Sequence, residues 1–219
     1  MGTGFKSGET PELRAAMEHL FAADPDLRRA RQVAGALPDR SRPAGLKSLM
    51  MLIIEQQVSV ASAQAIWKRM EAGTKPFTAR TFLAHDEDAL RAFGLSRPKM
   101  VYTRALAQAV TDGDLPLRRL PAMSDEDVMK ALTSVKGIGR WTAEVYLLFA
   151  LGRPDVFPAG DLALQAAVQD LKGLDERPRE QELIGLAEAW RPHRGVAARL
   201  LWRYYGVTRR RADPVAVRA

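Results

Sequence analysis

The sequence contains no cysteine. This absence excludes disulfide bonds, thiolate zinc sites, cysteine-ligated iron–sulfur clusters and a cysteine nucleophile. Histidine is scarce as well, and His19, His85 and His193 lie too far apart along the chain to suggest a metal site. Any chemistry that this chain performs therefore depends on other side chains.

Long hydrophobic runs are also missing. The longest, Leu49 to Ile54, ends at Glu55 and falls far short of the ~20 apolar residues that a membrane span needs. Residues 1–10 carry one lysine and one glutamate and no apolar segment, which is unlike a secretory signal. We expect a soluble cytoplasmic protein without membrane contact.

Positive charge exceeds negative charge in this chain of 219 residues. Lysine and arginine number 33 and aspartate and glutamate 26, which gives a net charge of +7 and a pI near 10.0. Such a balance favours polyanionic partners, nucleic acid before membrane surfaces. Hydrophobic residues make up 47% of the sequence, enough for a sizeable core.

Apolar residues recur with helical spacing in several segments, and nowhere do apolar and polar residues alternate over six or more positions. We therefore predict an all-α fold of about nine or ten helices, separated by glycine- and proline-rich breaks. Helix starts are predicted after Thr10 and Ser124. One predicted helix continues past Gln57, because its apolar face comprises Leu46, Leu49, Met50, Ile53, Ile54, Val58 and Ala61.

A tight turn between two predicted helices is the most informative feature. Lys136-Gly137-Ile138-Gly139 follows one helix end and precedes a new helix at Arg140. Glycine permits positive φ and close backbone approach, and Ile138 can fill the gap between the helices. The free N–H groups of the second helix suit a phosphate, as do the basic flanks. The turn is either a hairpin that grips a DNA backbone or an ordinary corner between helices.

Asp161 opens another predicted helix after a link that contains Pro154 and Pro158. An aspartate at this position ordinarily caps the helix. A functional role requires an anionic carboxylate beside a cleft, and the helix N-terminus stabilises that negative charge. The residue type and its position leave both interpretations open.

Residues 131–168 resemble the signature of the helix–hairpin–helix DNA glycosylase superfamily, the base-excision enzymes. There a hairpin, a helix and a proline-containing loop precede the catalytic aspartate, and Asp161 falls on that position. Three more matches follow the family's order, so that about residues 45–205 are covered. They are Ile53 to Ala63 (I-x-x-Q-Q-hydrophobic-S), Ala92 to Lys99 (G-L-S-x-x-K), and Trp190 to Arg194 followed by Trp202.

The resemblance implies a helix–hairpin–helix glycosylase fold, with two helical subdomains and the active-site cleft between them. The whole chain, 1–219, would form a single glycosylase unit. We expect residues 1–45 and 140–219 to form one subdomain and residues 46–139 the other, with the hairpin at 132–143. Residues 209–219 are expected to form a flexible basic tail.

Position 141 points to the chemistry that the resemblance implies. Bifunctional members have a lysine just beyond the hairpin that attacks the sugar as a Schiff base, whereas this chain has Trp141 there. Arg140 stays protonated and cannot replace that amine, and the absence of cysteine excludes the branch with a four-cysteine cluster. What remains is a monofunctional enzyme without lyase activity, resembling 3-methyladenine DNA glycosylase II, which releases alkylated purines in base excision repair.

The resemblance also implies roles for individual residues. Asp161 would be catalytic, and Trp141 and Trp202 would line the base pocket, although core packing is the ordinary alternative for both. Arg97 aligns best with the family's gap-filling wedge, where an aliphatic residue is usual, so Leu95 is the alternative. Gln56 and Gln57 either contact DNA or satisfy backbone groups in the helical core. The remaining expected DNA contacts are in the hairpin: Lys136, Gly137, Ile138, Gly139 and Arg140.

The expected partner is double-stranded DNA that contains alkylated bases, bound by a monomer. No cofactor is required for this chemistry, but the resemblance implies a structural Na⁺ or K⁺ held by the backbone carbonyls of Thr133, Val135 and Ile138. Two other functions remain open. One is a non-catalytic hairpin module that recognises distorted DNA, and the other is a basic helical interaction protein that never contacts DNA.

Overall fold

The computed structural model describes residues 10–209. Of the expected tail 209–219, only Arg209 lies within this range. The described part is helical throughout and contains no β-strand, which confirms the all-α prediction. No helix in residues 10–209 is both long enough and apolar enough to cross a membrane.

Twelve α-helices and two 3₁₀-helices make up the described chain, more than the sequence predicted. The α-helices are α1 (Pro11–Ala23), α2 (Pro25–Ala34), α3 (Leu46–Glu55), α4 (Val60–Gly73), α5 (Ala79–Leu83), α6 (Glu87–Ala92), α7 (Arg97–Asp112), α8 (Asp125–Thr133), α9 (Arg140–Phe149), α10 (Leu162–Lys172), α11 (Glu180–Ala187) and α12 (Arg194–Thr208). The 3₁₀-helices are Leu120–Ala122 and Glu188–Trp190.

Side-chain caps begin several of these helices, as their sequences predict. The Thr10 hydroxyl accepts the amide of Leu13 at 3.2 Å, with Pro11 as the first helical residue. The Ser124 hydroxyl accepts the amide of Asp127 at 3.1 Å. Both bonds satisfy amides that have no partner inside their own helix.

The prediction of a helix that continues past Gln57 is wrong. Helix α3 ends at Glu55, and α4 begins at Val60 with Ser59 as its cap. Between them Gln57 adopts φ +57°, a left-handed conformation. The apolar period gives no sign of this break, because buried residues on both sides keep helical spacing while a distant side chain and a local serine end one helix and start the next.

The chain forms two compact units. One combines the residues up to Ser41 with those from Arg153 onward, and the other is Arg42–Gly152. Helix α9 groups with the second unit, whereas we expected it to join the terminal segments. It packs on α3 and α8, and its last residue, Phe149, accepts the Arg42 amide at 2.7 Å.

In the first unit, α12 packs against α1, α2 and α10. A polar network accompanies this packing: Asp24 accepts the buried indole N–H of Trp190 at 2.9 Å and the ammonium of Lys172 at 2.8 Å. Burial alone would raise the pKa of Asp24, but the hydrogen bonds from Lys172 and Trp190 outweigh it and lower that pKa. A single carboxylate thus joins α1, α10 and the second 3₁₀-helix.

In the second unit, α7 packs against α3, α5 and α6, and α3 also packs against α4 and α9. Helix α3 is therefore central and nearly all apolar. Its completely buried side chains are Leu49, Met50, Ile53 and Ile54. Because α3 lies at the centre of this unit, the position of its C-terminal end determines where residues 56–59, which connect it to α4, lie.

We predict that Asp24→Ala lowers the free energy of unfolding by about 2 kcal/mol, because the buried Trp190 N–H loses its acceptor. Since folding lowers the pKa of Asp24, this contribution is complete above the unfolded value of about 3.9 and disappears as pH falls through the folded value. Urea unfolding at pH 7 and near pH 3 measures both effects. Asp88→Ala, which removes an exposed ion pair with Arg91, is the control and should cost less than about 1 kcal/mol.

Candidate active site

The hairpin between α8 and α9 has the predicted geometry. The amide of Val135 donates to the Leu132 carbonyl at 3.1 Å, and that of Ile138 donates to the Val135 carbonyl at 3.0 Å. Ile138 is only 4% exposed, so it fills the gap between the helices. Gly137 has φ +94°, and a Cβ there would lie 2.3 Å from the Tyr102 ring. This glycine is required by both its conformation and its neighbour.

The outer face of the hairpin is open and basic. Lys136, Gly139 and Arg140 are all exposed. The cap residue of α9, Gly139, forms no side-chain hydrogen bond to this helix. Gly139 has ordinary backbone angles, and a Cβ there would have no neighbour within 4 Å. No neighbour among residues 10–209 explains this second glycine.

The two adjacent glutamines have different environments. The Gln56 Nε2 donates to the Gly137 carbonyl and the Thr142 hydroxyl, both at 3.2 Å. This geometry favours the structural alternative for Gln56, since its amide ties the end of α3 to the hairpin. Gln57 is exposed and left-handed, a conformation that costs a residue with a Cβ about 1–2 kcal/mol. Gln57 remains a predicted DNA contact.

Lys99, the lysine of the G-L-S-x-x-K segment, caps α3. Its buried ammonium donates to the carbonyls of Ile53 at 3.2 Å and Gln56 at 2.7 Å, and also to that of Ile54. Burial lowers the pKa of Lys99, and the nearby Glu55 carboxylate opposes this shift. Sequence reasoning gave this lysine no role, although its place in a matched motif was a signal.

The turn before α7 has one exposed and one buried candidate for the wedge. Leu95 is only 3% exposed, so its side chain is part of the core. Arg97 is exposed at the first position of α7. Arg69 holds this turn, because its Nε donates to the Phe93 carbonyl at 2.8 Å. The structure therefore favours Arg97 over Leu95, and the wedge role itself remains a prediction.

Asp161 is the cap of α10 and belongs to the first unit. Its Oδ1 accepts the amides of Ala163 at 2.8 Å and Leu164 at 2.9 Å, and the indole N–H of Trp202 at 3.1 Å. The residue is half-buried. Capping and a chemical role are compatible here, because the same bonds that start the helix also fix the carboxylate and stabilise its charge.

The two tryptophans that we expected in the pocket differ in exposure. Trp202 is completely buried, so its ring has no surface for a base, and its bond to Asp161 makes it a positioning group. Trp141 is half-buried, in the first turn of α9.

Sequence reasoning missed Leu162, which follows Asp161 directly and is 62% exposed. An exposed leucine beside this carboxylate is a candidate contact for an apolar part of a ligand.

Residues 10–209 contain no cluster of three or more His, Cys, Asp or Glu side chains that could hold a metal ion.

Comparison with known proteins identifies the family. The model of the HhH-GPD superfamily of base excision DNA repair proteins matches residues 50–192. The chain belongs to this family.

Individual HhH-GPD relatives resemble the chain over most of its length. DNA-3-methyladenine glycosylase 1 of Schizosaccharomyces pombe is 31% identical over 199 residues, which are 87% of each protein. Bacillus subtilis YfjP is 33% identical over 163 residues, 71% of this chain but 57% of that protein. The structure of DNA-3-methyladenine glycosidase from Bacillus halodurans gives a TM-score of 0.79 at 32% identity, covering 95% of both chains.

We predict that Gln56→Ala lowers the free energy of unfolding by about 1–2 kcal/mol, because two hydrogen-bond acceptors lose their donor. Gln57→Gly should leave it unchanged or raise it, since glycine adopts the left-handed conformation without a Cβ penalty. Urea unfolding of both variants measures the difference. Equal losses at the two positions would contradict the division of roles between these neighbours.

Proposed function

We propose that the chain is a monofunctional DNA glycosylase that removes alkylated purines of the 3-methyladenine and 7-methylguanine type in base excision repair. The observation that carries this proposal is the carboxylate of Asp161, fixed by Trp202 and two helix amides. The names of the S. pombe and B. halodurans relatives support the alkylated substrate class.

The mechanism needs one anionic group. The enzyme extrudes the damaged nucleotide from the stack, at a cost of a few kcal/mol. An N3- or N7-alkylated purine is cationic and leaves readily, so the protein need not protonate it. As the N-glycosidic bond breaks, the sugar becomes oxocarbenium-like. The carboxylate of Asp161 stabilises this cation and orients the attacking water, which adds to the anomeric carbon and loses a proton to Asp161 or to solvent, while the purine leaves as a neutral base.

We propose that the enzyme has no lyase activity. A Schiff base needs a neutral amine at the sugar, and the position just beyond the hairpin is Trp141. Its half-buried ring is instead suited to contact a cationic base, since such a contact contributes about 0.5–2 kcal/mol. Strand cleavage without alkali would contradict this part of the proposal.

DNA binding is assigned to the exposed face of the hairpin. Lys136, Gly139 and Arg140 are exposed beside the uncapped start of α9, where a phosphate can accept backbone amides. We propose that a monomer binds duplex DNA in this way, in the cell compartment that holds the DNA.

We propose a monovalent cation at the other end of the hairpin. The last carbonyls of α8, including that of Thr133, have no partner within their helix and carry partial negative charge. The Val135 carbonyl lies just beyond this end and accepts the Ile138 amide at 3.0 Å, which leaves it a second lone pair. Together with Ile138 these residues would hold Na⁺ or K⁺, which would supply positive charge for a DNA phosphate. No organic cofactor is proposed.

Asp161→Asn is expected to reduce base release by at least 100-fold, because the charge that stabilises the sugar cation is lost. Duplexes that carry 3-methyladenine, 7-methylguanine, hypoxanthine or ethenoadenine, treated with alkali after incubation, reveal the abasic product. Binding to an abasic duplex should be retained and serves as the folding control. If the wild-type protein releases no base from any duplex, a non-catalytic module for distorted DNA becomes the better interpretation.

Gly139→Ala is expected to weaken binding to an abasic duplex about 10-fold. The added Cβ would stand where a phosphate meets the α9 amides, and a hydrogen bond to a charged acceptor contributes about 1.5–3 kcal/mol. Fluorescence anisotropy at fixed salt measures the affinity of each variant for the abasic duplex. Gly185→Ala in α11 is the matched control, since its Cβ would also have no neighbour within 4 Å. Unchanged affinity in Gly139→Ala would rule out close phosphate approach at this position.

A further inference from the structure

The segment between α9 and α10, residues 150–161, ends at Asp161 and is anchored near its middle by one carboxylate. Asp155 Oδ1 accepts the Nε of Arg194 at 3.0 Å, and Oδ2 accepts its Nη2 at 3.0 Å. The backbone amide of Arg194 also donates to Oδ1 at 3.2 Å. A planar guanidinium on both carboxylate oxygens restricts position and orientation, as a single point charge does not.

Neighbouring bonds make this anchor rigid. The amide of Gly195 donates to the Pro154 carbonyl at 2.8 Å, and Arg191 Nη1 donates to Asp155 Oδ2 at 2.7 Å. The Arg194 side chain is only 16% exposed and that of Asp155 is 23% exposed. This ion pair is therefore less screened than a typical surface pair.

Helix α12, which begins with Arg194, also holds the C-terminal end of this segment at Asp161. Arg194 is the first residue of α12, and Trp202, which bonds to Asp161, lies eight residues further on. A helix rises about 1.5 Å per residue, so the two anchors are about 12 Å apart along a stiff rod. Helix α12 thus holds this segment at Asp155 and again at its final carboxylate, Asp161.

We propose that Arg194 is a positioning residue for the glycosylase reaction, which sets the location of the Asp161 carboxylate by clamping Asp155. This inference rests on the proposed function, because it assumes that Asp161 faces the substrate sugar. Arg194 contacts no reacting atom. Its effect is geometric, and misplacement of a catalytic group by about 1 Å can cost on the order of 100-fold in rate.

The first experiment compares wild type with Arg194→Gln and Arg194→Lys in single-turnover base release. We expect both variants to lose about 10- to 100-fold in rate, since lysine keeps the charge but lacks the two-pronged contact. Affinity for an abasic duplex should stay within about threefold of wild type. Titration with that duplex gives the active fraction, so a loss of folded protein is separated from a slower reaction.

Arg91→Gln is the matched control, because it removes an exposed arginine that pairs with Glu87 and Asp88 in the other unit. It should react at the wild-type rate. Asp155→Asn should also slow base release, and the losses in the double variant should be clearly less than additive, as expected for two residues that share a contact. A wild-type rate in Arg194→Gln, or additive losses, would overturn the clamp.

A second measurement does not depend on activity. The indole N–H resonance of Trp202, assigned with Trp202→Phe, reports the bond to Asp161 in the free protein. Arg194→Gln should shift this resonance, whereas Arg91→Gln should leave it in place. An unmoved resonance would overturn the clamp, while absence of base release by the wild-type protein would overturn the proposed function alone.

Discussion

The hairpin-bearing unit depends on a buried ammonium at the end of its central helix. Lys99 donates to carbonyls in the last turn of α3 and just beyond it, and so ends the helix at a fixed residue. The next side chain, Gln56, then faces the hairpin and bonds to Gly137. Because one cation sets this break, three motifs that are distant in sequence form one connected structure.

In the other unit, the corresponding charged group is an anion, the carboxylate of Asp161. Asp161 is half-buried, and a half-buried carboxylate is costly unless its charge is compensated. Two α10 amides and the Trp202 indole provide this compensation. The capping interpretation of Asp161 and its proposed catalytic role therefore describe one arrangement, because the contacts that begin α10 also hold the carboxylate in place.

Local rules predicted much of the fold. Caps at Thr10 and Ser124 and the turn at Gly137 follow from residue type and near neighbours, and the structure confirms them. The break at Gln57 was missed because its cause, Lys99, lies about forty residues away in sequence. The sequence left open whether Leu95 or Arg97 is exposed and whether Trp202 is buried, because burial depends on contacts between distant segments. A helical period identifies a buried face but does not say which large side chain keeps an exposed surface.

Two positions show a cost that the fold itself does not require. Gln57 adopts a left-handed conformation that glycine would adopt more readily, and Gly139 lacks a side chain although nothing nearby would hinder one. Residues that oppose local preference without an internal benefit tend to mark sites shaped by a ligand. Both lie in the same unit, one just after α3 and the other at the start of α9. The segments joined by Gln56 thus carry both of these features, and a phosphate backbone closely approaching Gly139 would account for that glycine.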